Sequence, residues 1–171
     1  GNCAIVMQAT KTGLTEGSTP SGFDYDREVV VVNITRIKKI ILLDGGKQAI
    51  VFPGSTLHEL EQELRKVNRM PHSVIGSTTI GATVVGGIAN NAGGALCKRG
   101  SSYTELSLFA RVDKERKLKL VNHLGINHLG ETPEEIFSTL EAESFCSDDI
   151  CDMDKAASDR DYSDRIRNIN A

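Results

Sequence analysis

The chain has 171 residues, 39% of them hydrophobic, a formal net charge of −3 and no Trp. That is enough for one domain with a real core, or for two small subdomains sharing a cleft. Aromatic side chains are too few for a cavity walled by rings or a base-stacking surface, which argues against nucleic acid as a partner. Charge is uneven: residues 1–130 carry 16 Lys/Arg against 11 Asp/Glu, and residues 131–171 carry 4 against 12. A mildly basic body therefore precedes an acidic tail, a balance that suits an anionic ligand in the body but more often describes a solvated surface.

Taken in chain order, apolar runs rich in Val and Ile and bounded by turn residues predict strands over Cys3–Ala9, Glu28–Ile34, Lys39–Leu43 and Gln48–Phe52. Asp44, Gly45 and Gly46 between the last two read as a hairpin turn. Asn33, Ile34 and Thr35 fit the N-glycosylation pattern, but they close a β-branched run that reads as a buried strand, so the pattern carries no weight. After Pro53 and Gly54, Thr56 with Glu59 three residues on forms a capping box, and Leu57, Leu60, Leu64 and Val67 recur at helical spacing to about Asn68. Two further strands are expected over Glu105–Val112 and Lys117–His123, joined by the charged turn Asp113–Arg116. A last helix begins at Thr132, with Pro133 in its first turn and Glu135 as the reciprocal carboxylate. From Ser144 to Asp164 the periodicity fades into an acidic, Ser/Asp-rich linker or tail. The domain is thus expected over residues 1–143 and the tail over 144–171.

The cysteines, Cys3, Cys97, Cys146 and Cys151, lack paired zinc-site spacing and read as free thiols; a metal shared by Cys146 and Cys151 with His123 and His128 has no motif behind it. No metal site is expected. No run approaches the roughly eighteen apolar residues needed to cross a bilayer. The chain opens at Gly1 without an initiator Met and enters an apolar strand at once, which reads as an interior starting point.

Two glycine-rich stretches carry the chemistry. In the first, Gln8–Ser18 (QATKTGLTEGS), a strand gives way to a loop of Thr, Gly and Ser whose small residues let main-chain N–H groups approach a pyrophosphate. Taken alone it could be an ordinary surface turn. In the second, His72–Gly94 (HSVIGSTTIGATVVGGIANNAGG), glycines at 76, 81, 86, 87, 93 and 94 alternate with Thr, Ala and Val, almost free of charge. Ile75, Ile80, Val84, Val85 and Ile88 call for burial, so this is a packed loop and helix start rather than a linker. Asn90 and Asn91 need polar partners, from a ligand or from main chain. Residues 76–83 have the glycine spacing of a nucleoside-triphosphate phosphate loop, but Ala82 stands where the lysine is required. No GxGxxG opens a helix after the first strand, so a Rossmann site for NAD is not supported either. His72 lies beside the second stretch and beside a proline, where a structural role is the usual one.

Together the segments MQATKTGLTEGSTPSGFDYDREVVVV, FPGSTLHELEQEL, PHSVIGSTTIGATVVGGIANNAGG, KRGSSYTELSLFAR and LVNHLGINHLGETPEEI resemble the quinone-linked respiratory D-lactate dehydrogenases of bacteria, within the wider vanillyl-alcohol-oxidase-type flavoproteins. The resemblance runs almost without a break from Ile5 to Ile136. It implies an α+β fold, a PCMH-type FAD-binding domain of two subdomains, incomplete at both ends. It implies FAD as cofactor, with Ala9, Thr10, Lys11, Thr12, Gly13, Gly17 and Ser18 in one phosphate loop and Gly76, Thr83 and Gly93 along the pyrophosphate and flavin. Lys11 stands where the family has Asn, and Ala89 and Ala92 stand where Cys and Ser are more usual. The implied reaction is hydride transfer from D-lactate, or a related 2-hydroxy acid, to flavin and on to a membrane quinone, on the cytoplasmic face of the bacterial inner membrane with peripheral attachment. The groups that clamp the substrate belong to a cap domain outside these residues, so no catalytic residue is named. A flavin-free interaction module of the same fold is the competing reading, and it leaves two separate donor-rich loops without a purpose.

Overall fold

The apolar runs at the start of the chain pair as a parallel ribbon, β1 (Cys3–Gln8) and β2 (Glu28–Asn33), in register from Cys3↔Glu28 to Gln8↔Asn33. The computed structural model describes residues 2–71, 76–90, 92, 108–112, 114–122 and 129–142, which fall in two units, Gly1–Tyr103 and Thr104–Ala171. In the first unit β3 (Ile40–Leu43) and β4 (Gln48–Val51) form an antiparallel hairpin. Its turn is a short 3-10 segment over Asp44–Gly46, in which all three residues take positive φ. Arg69 Nε reaches back to the Gly45 carbonyl at 2.8 Å and ties that turn to the end of the following helix.

That helix, α1 (Leu57–Lys66), starts where the capping box places it: the Thr56 hydroxyl accepts from the Glu59 amide, and the Glu59 carboxylate accepts from the Thr56 amide at 2.7 Å. It stops two residues before the expected Asn68, because the Arg69 amide turns back onto the Leu64 carbonyl and Asn68 takes φ 55°. A 3-10 turn over Gly76–Ile80 and a short helix, α2 (Val84–Ala89), complete the described part of this unit. Leu57, Leu60 and Leu64 from one face of α1 bury against Ala82 and Val84, with Ile40, Leu42, Val51, Ile88 and Ala92 packed around them. At 1% exposure Leu57 is the centre of that cluster, and burying such a side chain stabilises by about 1.5–3 kcal/mol.

The second unit holds an antiparallel hairpin of β5 (Leu108–Val112) and β6 (Leu118–Asn122) and the capped helix α3 (Pro133–Glu141), whose Ile136 and Leu140 are buried. Hydrogen bonds from the Glu131 and Thr132 amides hold the Glu135 carboxyl below the ordinary range. Helices and small sheets together give the α+β composition expected. The strand runs agree with expectation to within a residue or two, except that 105–107 and His123 lie outside the described residues.

Two expectations of burial are corrected. The run Val30–Val32 is 39–46% exposed and Asn33 is exposed, because β1 satisfies the hydrogen-bonding edge of β2 without covering its faces. Ile80 is 70% exposed. In a 3-10 turn successive residues rotate by a third of a circle, so with Thr78 directed inward Ile80 is carried out.

Candidate functional site

β1 and β2 end together, and the loops leaving the carboxyl ends of parallel strands are where such sheets take ligands. Gln8 and Asn33 are the paired last residues. The Gln8 amide nitrogen donates to the Ser18 carbonyl at 2.6 Å, and the Asn33 amide nitrogen donates to the Ala9 carbonyl at 3.2 Å and to Gln8 Oε1 at 3.3 Å. Residues 9–18 are therefore a loop fastened at both ends to the strand tips. Within it the Gly13 carbonyl accepts from the Glu16 amide at 3.3 Å and the Glu16 carbonyl from the Thr19 amide at 2.8 Å. Lys11 and Glu16 take φ of 59° and 54°, single left-handed residues that bend the loop on itself.

This bent loop keeps donors to spare. Among the described residues the amides of Lys11, Thr12 and Gly13 donate to no other main-chain group, and Lys11 pairs with no carboxylate. A side chain at Gly13 would meet nothing within 4 Å. Ala9, Thr10, Thr12 and Ser18 are half-buried, while Lys11, Gly13 and Gly17 are exposed. The loop thus offers free amides, small side chains and a cation on one short stretch, the donor set that a pyrophosphate requires.

The second stretch is held differently. Gly81, at φ 92°, turns the chain out of the Gly76–Ile80 segment, and Ala82, Thr83 and Val84 are buried at 3%, 2% and 4% exposure. Leu57 donates from its amide to the Ala82 carbonyl at 2.9 Å and Val84 to the Ser55 carbonyl at 3.1 Å, so the Thr56 and Thr83 caps form an antiparallel bridge. The Thr83 hydroxyl accepts from the Gly86 amide as the cap of α2. Asn90 finds a main-chain partner, its amide nitrogen donating to the Gly86 carbonyl at 2.8 Å. Gly76 begins the 3-10 turn. Gly93, Asn91 and His72 lie outside the described residues.

Contacts through one main-chain junction link the two stretches. Ile34 donates to the Gln8 carbonyl at 2.9 Å, and Gly54 donates to the Ile37 carbonyl at 2.8 Å. A Cβ at Gly54 would stand 2.6 Å from the Ile34 carbonyl oxygen. Ser55, 1% exposed, accepts from the Lys39 amide at 3.0 Å and donates to the Lys39 carbonyl at 3.1 Å, and the Thr56–Thr83 bridge follows directly. Beside it Lys38 pairs with Glu59 at 2.8 Å. Burial works to raise the Glu59 carboxyl, but the bonds from Lys38 and from the Thr56 amide and hydroxyl outweigh it and hold the carboxyl below its ordinary value.

Sequence reasoning passes over Gln8, Asn33 and Ser55. The available signal is positional: a polar amide ending each of two strands with apolar interiors is suited to fixing the loops that leave them.

Residues 4–112, which contain both glycine-rich stretches up to Gly94 and the junction between them, match the model of the FAD binding domain. The chain belongs to the FAD-binding domain family. Within this family it is homologous over nearly its whole length to quinone-dependent D-lactate dehydrogenases. It is 54% identical over 167 residues to that of Escherichia coli, 49% over 166 to that of Haemophilus influenzae and 41% over 168 to that of Corynebacterium glutamicum. These alignments take in 98%, 97% and 98% of the chain and 29% of the length of each relative. The resemblance read from the sequence is thereby borne out.

Proposed function

We propose that this chain is the FAD-binding portion of a D-lactate dehydrogenase that transfers a hydride from D-lactate to FAD and passes the electrons to a membrane quinone. The observation that carries this reading is the loop 9–18, pinned at both ends by Gln8 and Asn33, with the amides of Lys11, Thr12 and Gly13 unspent. Three relatives, each a quinone-dependent D-lactate dehydrogenase, suggest the substrate and the acceptor.

In this reading Ala9, Thr10, Lys11, Thr12, Gly13, Gly17 and Ser18 hold the diphosphate through main-chain donors, and the Lys11 ammonium adds a charge-assisted bond where a neutral amide would give a weaker one. Gly76, Thr83 and Gly93 line the path toward the ring in one of the two subdomains of a PCMH-type domain. Thr83 keeps a hydroxyl proton to donate while its oxygen caps α2. Bound flavin would supply the two-electron acceptor, and these residues would bind and orient it. Substrate-clamping groups belong to polypeptide beyond these residues. Attachment is peripheral, at the cytoplasmic face of the inner membrane, through parts outside the chain; no helix among the described residues is long and apolar enough to cross a membrane.

The test is anaerobic addition of D-lactate to the longer, flavin-loaded protein. Loss of oxidised-flavin absorbance is expected. Loss with a different 2-hydroxy acid and none with D-lactate would move the substrate; no reduction by either would remove the dehydrogenase reading.

A further inference from the structure

Lys11 holds a backbone conformation that its residue type disfavours. At φ 59° it is left-handed, where a Cβ crowds the neighbouring carbonyl and which glycine and asparagine enter far more readily than lysine. At Glu16, Asp44 and Asn68 the same bend comes with main-chain bonds that offset it. The Glu16 amide donates to the Gly13 carbonyl, the Asp44 carbonyl accepts from the Lys47 amide at 3.2 Å, and the Asn68 amide donates to the Arg65 carbonyl at 3.1 Å. Among the described residues neither the amide nor the carbonyl of Lys11 has a main-chain partner, and its ammonium pairs with no carboxylate. The fastened loop ends hold the bend in place, since Asn33 ties the Ala9 carbonyl two residues before it and Gln8 ties the Ser18 carbonyl. Strain of this kind, set in an exposed loop that the fold does not need bent there, points to a ligand.

We propose that Lys11 sets how firmly the cofactor is retained: its ammonium supplies a salt-sensitive share of the hold on the FAD diphosphate, and the left-handed backbone that carries it makes the empty loop less stable. This rests on the reading of residues 9–18 as a diphosphate site and deepens it. Within that stretch the charged residues are Lys11 and Glu16, so Lys11 is its single cation. An ammonium bonded to a phosphate oxygen is stronger than a neutral donor in the same place. Because Lys11 is exposed, the attraction is screened by salt, over about 30 Å at 0.01 M ionic strength and about 3 Å at 1 M. Retention of FAD is therefore graded by ionic strength through one side chain, and stability of the empty loop is given up for it.

Three substitutions in the longer polypeptide separate charge from strain. Lys11→Gln removes the charge and keeps a side chain equally ill-suited to the bend, Lys11→Arg keeps both, and Lys11→Asn removes the charge and relieves the bend. FAD affinity is measured by flavin fluorescence on the flavin-free protein at about 0.01 M and about 1 M salt. Lys11→Gln and Lys11→Asn are expected to bind FAD about tenfold more weakly at low salt, with the deficit shrinking to about twofold at high salt, while Lys11→Arg binds as the unsubstituted protein does. In urea, without flavin, Lys11→Asn is expected to raise the midpoint, and Lys11→Gln and Lys11→Arg to leave it in place. Unchanged low-salt affinity in Lys11→Gln, or a deficit that salt does not reduce, overturns the proposal. So does a midpoint that Lys11→Asn fails to raise, since the empty loop is then unstrained. Unchanged affinity in Lys11→Gln, in a protein whose flavin D-lactate reduces, strikes this proposal alone. A salt-sensitive deficit in a protein that D-lactate fails to reduce leaves it standing while the dehydrogenase reading falls.

Discussion

Gly54 is the residue on which the junction between the two loops turns. A methyl group there would lie 2.6 Å from the Ile34 carbonyl oxygen, 2.8 Å from that of Ile37 and 2.8 Å from the Thr35 carbonyl carbon, all main-chain atoms that cannot swing aside. Gly54→Ala is therefore expected to destabilise by about 1–3 kcal/mol, the usual cost of overpacking, read as a lowered urea midpoint with unchanged slope. Nothing in the sequence marks this glycine as different from its neighbours, because Pro53–Gly54 reads simply as the end of a strand. The ties made by Gln8 and Asn33 are hidden for the same reason: they join residues 10 and 24 apart, and only the fold brings those partners together. By contrast the loop after β1 is legible, since small residues at Thr10, Thr12, Gly13, Gly17 and Ser18 mark a turn-forming segment locally.

At the scale of elements, α1 and α3 are the most readable parts of the chain. Capping boxes act within four residues, so Thr56 with Glu59 and Thr132 with Glu135 announce both starts without help from tertiary structure. The end of α1 is less legible because it depends on the Arg69 amide folding back to Leu64. Glu59 gives α1 a pH dependence of definite sign. Its folded carboxyl titrates below the ordinary 4.5, so its contribution is fully present above that value and is lost as pH falls through the lower folded one. Because the Lys38–Glu59 pair is partly exposed, the contribution is modest, about 0.2–1 kcal/mol. Glu59→Gln is expected to lower the urea midpoint near neutral pH, and the gap to the unsubstituted chain is expected to close as pH drops below about 4.5. A gap that widens on acidification would assign the stabilisation to another group.

For the molecule as a whole, the chain spans 29% of each matched relative, and Lys11, Gly13 and Gly17 of the loop 9–18 are exposed. An open loop holds an ionised diphosphate against bulk water, where each contact is worth little. FAD is accordingly expected to bind the 171-residue chain weakly or not at all and to remain with the longer polypeptide through gel filtration; tight co-elution with the short chain would contradict this. What no local pattern could announce is the bridge between Thr56 and Thr83, which ties two segments 27 positions apart through the Leu57 and Val84 amides. Since that clasp is made of main chain, neither threonine need be kept for it to hold, and it cannot loosen one strand at a time. In deuterium, the Leu57 and Val84 protons should therefore be replaced slowly and at a common rate, marking the two helix beginnings as one cooperative unit, while those of Lys11 to Gly13 are replaced at once.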